Sequence, residues 1–338
     1  MRHTRGIAAA VLLAATAVAV PAVAHADTCT WTPTALPIPA GAESASVAGT
    51  DDTGGYVGEA DWWDGENATS HAVLWRNGTV TDLGAPAGEY AYVVIHDANR
   101  SDTLVGSNEG STANVYEHAV KSSNGKMVRL PEPAGAQQTW ANSINDNGDI
   151  VGTAVLPAGG NKTVLAAVEW PASAPGTVRV LTGLPSGQQS EAVGVDQDGT
   201  VIVSVTAAGD PTDLRPYVWR NGTARALPVL STSDSSEPKS ISNGLVAGFT
   251  GGAAVVWNTK TDPITITQLP GGNDALSINS AGQVVGWTYN HMALTYHVWQ
   301  GTQLTSTLPP PGEGDVIGDD GTIGGWASGI GPAKWVCA

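Results

Sequence analysis

The apolar residues of this chain come in short bursts. From Trp31 onward, Val, Ile, Leu and Trp gather in alternating or continuous runs of about four to six residues, separated by Gly/Asn/Asp/Pro clusters roughly every ten residues. No stretch sustains the 3.6-residue period of an amphipathic helix. The pattern predicts many short strands joined by tight turns, an all-β chain. Apolar runs recurring along the whole length also argue against disorder, because disordered segments lack them.

The bursts repeat. One piece is clearest in Ser143-Ile144-Asn145-Asp146-Asn147-Gly148-Asp149-Ile150-Val151-Gly152 and returns as Ser277-Ile278-Asn279-Ser280-Ala281-Gly282-Gln283-Val284-Val285-Gly286. A second is an apolar strand with Trp near its end, as in His71-Ala72-Val73-Leu74-Trp75-Arg76-Asn77-Gly78-Thr79 and Pro216-Tyr217-Val218-Trp219-Arg220-Asn221-Gly222-Thr223. A third is a strand ending in Leu followed by Pro or Gly, at Leu83, Leu130, Leu184, Leu227, Leu269 and Leu308. Each copy therefore predicts four strands: a and b around the Asn-x-x-Gly turn, c with the Trp, and d with the Leu-Pro ending. The small residue closing strand b falls at Gly58, Gly106, Gly152, Gly248, Gly286 and Gly325, with Val203 in the fourth copy. The step is about 44 residues, the period of a four-stranded propeller blade.

The predicted fold is a seven-bladed β-propeller. Its blades run over 38–84, 85–131, 132–185, 186–228, 229–270, 271–309 and 310–338, the last lacking strand d. The missing strand is expected at the other end, where Trp31-Thr32-Pro33-Thr34-Ala35-Leu36-Pro37 carries the Leu-Pro ending with no strands before it. Residues 27–37 should thus close blade seven. Cys29 and Cys337, the only cysteines, would then lie on neighbouring strands and are expected to pair. Arg2 and Arg5, the apolar run Ile7 to Val20 and Ala24-His25-Ala26 read as an export leader cleaved after Ala26. A secreted protein is the expectation, in a compartment where disulfides persist.

These motifs carry a resemblance. Ile-Asn-x-x-Gly-x-x-Val-Gly, His-Ala-Val-Leu-Trp-Arg-Asn-Gly-Thr and the Leu-Gly/Leu-Pro ending resemble the HAF-repeat family of secreted bacterial proteins, over nearly all of the chain after the leader. The His-Ala-Phe that names the family reads His-Ala-Val here, at His71 to Val73 and His118 to Val120. The resemblance implies export and repetition, and it brings no catalytic motif.

Charge narrows the partners. The formal net charge is −16, and loss of the leader removes Arg2 and Arg5 but no acidic residue. Nucleic acid and anionic membrane surfaces need Lys/Arg patches and are excluded as partners. No apolar run outside the leader approaches the ~18 residues of a membrane span.

Candidate chemistry collects where the copies differ. The b–c segments are long and unlike one another, so any site is assigned to the face that carries the b–c and d–a connections, at the mouth of the central channel. Asp61, Trp62 and Trp63, beside Glu59, place two indoles among carboxylates, a pairing that suits sugar rings or cationic groups. Trp140, Tyr289 and His291 extend the candidate ligand surface, as do His71 and His118. The two histidines occupy one repeat-equivalent position, which favours a structural role. Asp196 and Asp198 faintly resemble a calcium loop but coincide with a hairpin turn, and no other cofactor is implied. The preferred function is a secreted, non-catalytic binding or scaffold propeller, expected to be monomeric, for carbohydrate or an extracellular protein. The alternative is a secreted polysaccharide lyase or hydrolase using His71, His118, His291, Asp61 and Glu59 at the channel mouth.

Overall fold

A computed structural model describes residues 29–88, 91–109, 116–207, 210–232, 234–290 and 293–338. The leader and its cleavage site lie outside the described residues, as does His291. The described residues contain no helix long and apolar enough to cross a membrane. Seven antiparallel sheets of four strands form the ring. Blade one runs through Ser44–Thr50, Tyr56–Trp63, Ala68–Arg76 and Thr79–Gly84 in strand order a-b-c-d. The other inner strands are Val93–Ala98, Gln138–Ile144, Ser190–Val195, Ser236–Ser242, Asp274–Ile278 and Gly312–Ile317. The N-terminal strand Trp31–Ala35 pairs antiparallel with Gly331–Cys337 and completes blade seven, with Trp31 opposite Cys337. Cys29 and Cys337 form a disulfide with Cα atoms 5.4 Å apart.

The core is not one centre but seven apolar layers, one at each blade interface. Between blades two and three, for example, Val105, Ala119 and Leu130 meet Ala141, Ile144, Ile150 and Trp170. Two pieces of the repeat interlock across these layers. In five blades the strand-c Trp donates its indole N–H to the carbonyl that follows the strand-d Leu ahead of it; blade two has no strand-c Trp, and Trp335 of blade seven donates to Glu313 at 3.3 Å instead. Trp170 reaches Pro131 at 2.6 Å, Trp257 reaches Pro228 at 2.6 Å and Trp299 reaches Pro270 at 3.1 Å. Burying an indole without a partner for that N–H would cost the desolvation of a polar group. The bond therefore explains why Trp and Leu-Pro recur together. Trp75 makes the same bond to Pro37 at 2.7 Å, so the N-terminal segment serves as the strand-d ending ahead of blade one. In blade three the equivalent pair is Leu181-Thr182 rather than Leu184-Pro185. The Leu181 amide bonds Ala167 as the other strand-d leucines bond their own strand c, and the Thr182 carbonyl accepts from Trp219.

The turn asparagines do more than shape a turn. Asn145 accepts the Asp149 amide at 2.9 Å within its own hairpin, while its side-chain amide donates to the Asp196 carbonyl of the next blade at 3.2 Å. Asn279 repeats this with the Gln283 amide and the Gly318 carbonyl, and Asn99 with the Thr103 amide and the Asn145 carbonyl. A carboxamide supplies an acceptor and a donor at once, whereas an ionised Asp at these positions could only accept.

The strand-b glycines have a different cause from simple crowding at the axis. Each faces a bulge in strand a, where a carbonyl is pushed toward it. A Cβ on Gly152 would lie 1.9 Å from the Trp140 carbonyl oxygen, and one on Gly58 1.9 Å from that of Ser46. Blade four carries Val203 opposite its bulge and has Gly194 directly after the bulged residue. Gly152→Ala is expected to cost about 1–3 kcal/mol through forced backbone movement. Urea unfolding of the variant checks this; an unchanged midpoint would contradict the bulge account.

Candidate functional site

Every inner strand skips one residue in its pairing with strand b. The skipped residues are Ala48, His96, Asn142, Val193, Lys239, Leu276 and Asp315, at equivalent positions in blades one to seven. A bulge leaves its extra residue outside the ladder and re-aims the side chain. Here all seven line a cavity of about 380 Å³ on the ring axis, which extends from the bulges toward the a–b turns. The seven types share no pattern, whereas the Gly, Trp, Leu and Asn positions repeat from blade to blade.

Below the bulges the inner strands tie to one another. Asp97 accepts from the Ser143 hydroxyl at 2.8 Å and the Ile144 amide at 3.0 Å, and the Ser143 hydroxyl in turn accepts the Val195 amide at 3.3 Å. Burial pushes the Asp97 carboxyl up to about 6 against those bonds. Burial also lowers His96, against the bond its Nδ1–H donates to the Ala141 carbonyl at 3.1 Å. At the a–b end, Asp52 is raised to about 7 by burial and then by Asp319 and Asp97. Arg100 spans this end, pairing with Asp146 at 3.6 Å and with Asp319 of blade seven.

Above the bulges the inner strands run toward the d–a connections. The residue two before each bulge is Ser46, Val94, Trp140, Glu191, Glu237, Asp274 and Glu313. Four adjacent blades, four to seven, thus carry a carboxylate at one level, with Asp315 just below. Lys239 is the cation among them, 2.6 Å from Glu237, with its ammonium 5.4 Å from the Phe249 ring centre. Burial and then Glu237 raise Glu191. Asp274 is pushed up to about 6 by burial, with Lys239 opposing and Glu237 adding to the rise. Asp315 is raised to about 6 by burial and by Glu313. These mutual effects mark the carboxylates as electrostatic neighbours.

The described residues singled out from the sequence as ligand-binding lie toward the b–c and d–a connections but in separate blades, whereas Asp196 and Asp198 belong to an a–b turn. In blade one, Trp62 packs on His71 with ring centroids 4.5 Å apart, His71 bonds Asp82 at 3.1 Å, and Asp61 accepts from Ser44 at 2.9 Å. Glu59 is held by the Ser46 hydroxyl and the Ile95 amide. Trp63 is 53% exposed and, in blade six, Tyr289 58%. His118 of blade two pairs with Glu132, repeating the His71–Asp82 arrangement. Trp140 lies in the inner strand of blade three, its indole N–H bound to Glu117 of blade two. Trp62 and His71 come together; Trp140, His118 and Tyr289 each stand in another blade. Asp196 accepts the backbone amides of Asn243 and Gly244 of the next blade, and Asp198 pairs with Arg220 at 2.7 Å. No group of three or more His, Cys, Asp or Glu among the described residues is placed to hold a metal ion. The acidic arc, Lys239 and the exposed Trp326 beside Glu313 were not singled out from the sequence. Aligning strand a of the seven copies on the turn asparagine would have exposed them.

No protein-family model and no curated protein matches the chain. Solved structures do. An acylaminoacyl peptidase in complex with Z-Gly-Gly-Phe-chloromethyl ketone is similar over 87% of this chain with a TM-score of 0.56 at 9% identity; the chain spans 52% of that protein. The β-propeller domain of Cps50 (Swd1) from Myceliophteria thermophila is similar over 90% of this chain and 99% of its own, with a TM-score of 0.49 at 11% identity. At such identity the peptidase likeness concerns the propeller fold alone.

Proposed function

We propose that the chain is a secreted, non-catalytic binding propeller of the HAF-repeat type. It engages an extracellular partner through the channel mouth on its b–c and d–a face. The observation that carries this reading is the division of labour among positions. Residues that build the blades recur from blade to blade, while the seven bulge residues lining the axial cavity all differ, and carboxylates gather one level above them in blades four to seven. A packing role would select similar residues at equivalent positions, and a recognition role selects different ones. Exposed Trp63, Tyr289 and Trp326 stand at the b–c ends of blades one, six and seven, the kind of aromatic side chain that anchors protein–protein and sugar-binding surfaces. The Cys29–Cys337 bridge supports export, since such bonds persist in oxidising compartments.

The test uses the exported protein against a glycan array and against proteins of its native secretions. One saturable partner is expected, with binding lost in the Glu191→Gln/Glu313→Gln variant, whose changed side chains are exposed and leave the fold intact. A folded protein that retains nothing from either source would overturn the reading.

A further inference from the structure

Resting on that reading of the channel mouth, we infer that the acidic arc of blades four to seven receives a lysine or arginine side chain of a protein partner. Glu191, Glu237, Asp274 and Glu313 hold one level of four consecutive inner strands, with Asp315 below them. A second observation separates this arc from an ordinary acidic surface. Asp274 is 9% exposed, and its Oδ1 is buried with no hydrogen-bond partner. Buried carboxylate oxygens are normally satisfied, so an orphan beside an open channel points to a donor supplied from outside. Its electrostatic neighbours are Glu237 of blade five and Lys239, which lines the axial cavity.

The shape of the donor follows. Lys239 shows that an ammonium on a four-carbon stem is accommodated here, but it is spent on Glu237 at 2.6 Å. In the inferred mode a second slender cation enters past the exposed Glu191 and Glu313 toward Asp274, while Val193 and Leu276, which line the axial cavity at the bulge level, offer apolar surface for its methylene groups. An amino sugar bears its nitrogen directly on the ring, too short a reach for a buried carboxylate. A metal ion would need converging ligands, and the described residues offer no such group.

The probe is the peptide acetyl-Gly-Lys-Gly-Lys-Gly-amide, titrated into the full protein at low salt and followed by calorimetry. Its Nε-acetylated form, glucosamine trimer and calcium chloride serve as the other arms. The lysine peptide is expected to bind, with at least tenfold loss on lysine acetylation. Asp274→Asn should weaken it at least tenfold, while Glu66→Gln, the same charge change on an exposed loop, leaves it within twofold. Lys239→Met removes the resident competitor and should strengthen binding at least fivefold, a gain that misfolding cannot imitate. Equal loss in Asp274→Asn and Glu66→Gln, or no gain from Lys239→Met, would overturn the inference. So would preferential binding of glucosamine trimer or calcium at the arc, although the mouth would then still be a binding site. No binding of any probe, together with no partner from array or secretions, would remove both readings.

Discussion

Deleting residues 29–37 should leave a chain that no longer unfolds in one cooperative transition and that associates through its open edge. The segment contributes far more than one strand. Trp31 is buried among Val285, Leu308 and Trp335, and its indole donates to Ser306 at 2.8 Å. Losing an aromatic of that burial costs about 3–5 kcal/mol. Leu36 packs into the layer between blades seven and one. The Pro37 carbonyl satisfies the buried Trp75 indole, and stranding that N–H adds roughly 1–3 kcal/mol. Strand Gly331–Cys337 would become an uncovered edge, a template for pairing with other chains. Together these losses rival the ~5–15 kcal/mol that holds an ordinary domain together. The disulfide can be separated from the strand. Cys29→Ser/Cys337→Ser keeps every strand but frees ends 308 residues apart. The chain-entropy account gives a loss of about 5 kcal/mol, or a fall of roughly 10 °C in Tm at this size. Circular dichroism melts of both variants decide the matter. A truncated chain that melts like the intact one would contradict closure by the N-terminal strand.

That closure was legible because it rests on spacing. Trp, Leu-Pro and the strand-b glycines recur at one period, and a period survives the loss of single members such as the missing Trp of blade two. Leu184 misled because blade three places Pro185 after a leucine that does not pair, whereas Leu181 does and is followed by Thr182. The roles of Asn145 and Gly152 were half visible. Their turn and small size could be read, but not the bonds to the next blade or the carbonyl pressed toward the glycine, since both depend on neighbours distant in sequence. The channel site was the least visible part. A bulge is a backbone event with no residue signature of its own, and Ala48, His96, Asn142, Val193, Lys239, Leu276 and Asp315 have nothing in common except where the fold puts them. Loop residues such as Trp62 and Trp63 drew notice because they interrupt the repeat, while Glu237 and Asp274 sit inside it.

Stability should be highest near pH 4 and fall by about 3–5 kcal/mol between pH 5 and pH 8. Asp97, Asp274 and Asp315 are each raised to about 6 and Asp52 to about 7, from an ordinary 3.8. Between those limits the folded chain binds more protons than the unfolded one, so stability declines as pH rises through the window. A two-unit shift of an isolated group corresponds to about 2.7 kcal/mol. The four share one channel and some face solvent, so their sum is discounted for coupling and screening. His96 and His297 oppose the trend. Burial lowers both, so their contribution is complete above about pH 6.5 and lost as pH falls below it. The raised carboxyls outnumber the two histidines and leave the maximum on the acid side. Calorimetric melts from pH 4 to 9 test this, and Asp52→Asn should flatten the limb above pH 6, because that group titrates last. Stability that climbs steadily to pH 8 would contradict the burial of these carboxyls. A chain that keeps ionised groups where folding favours their neutral form gives up stability at neutral pH. A cation seated against Asp274 would restore part of it, so the basic peptide should raise Tm more at pH 8 than at pH 5.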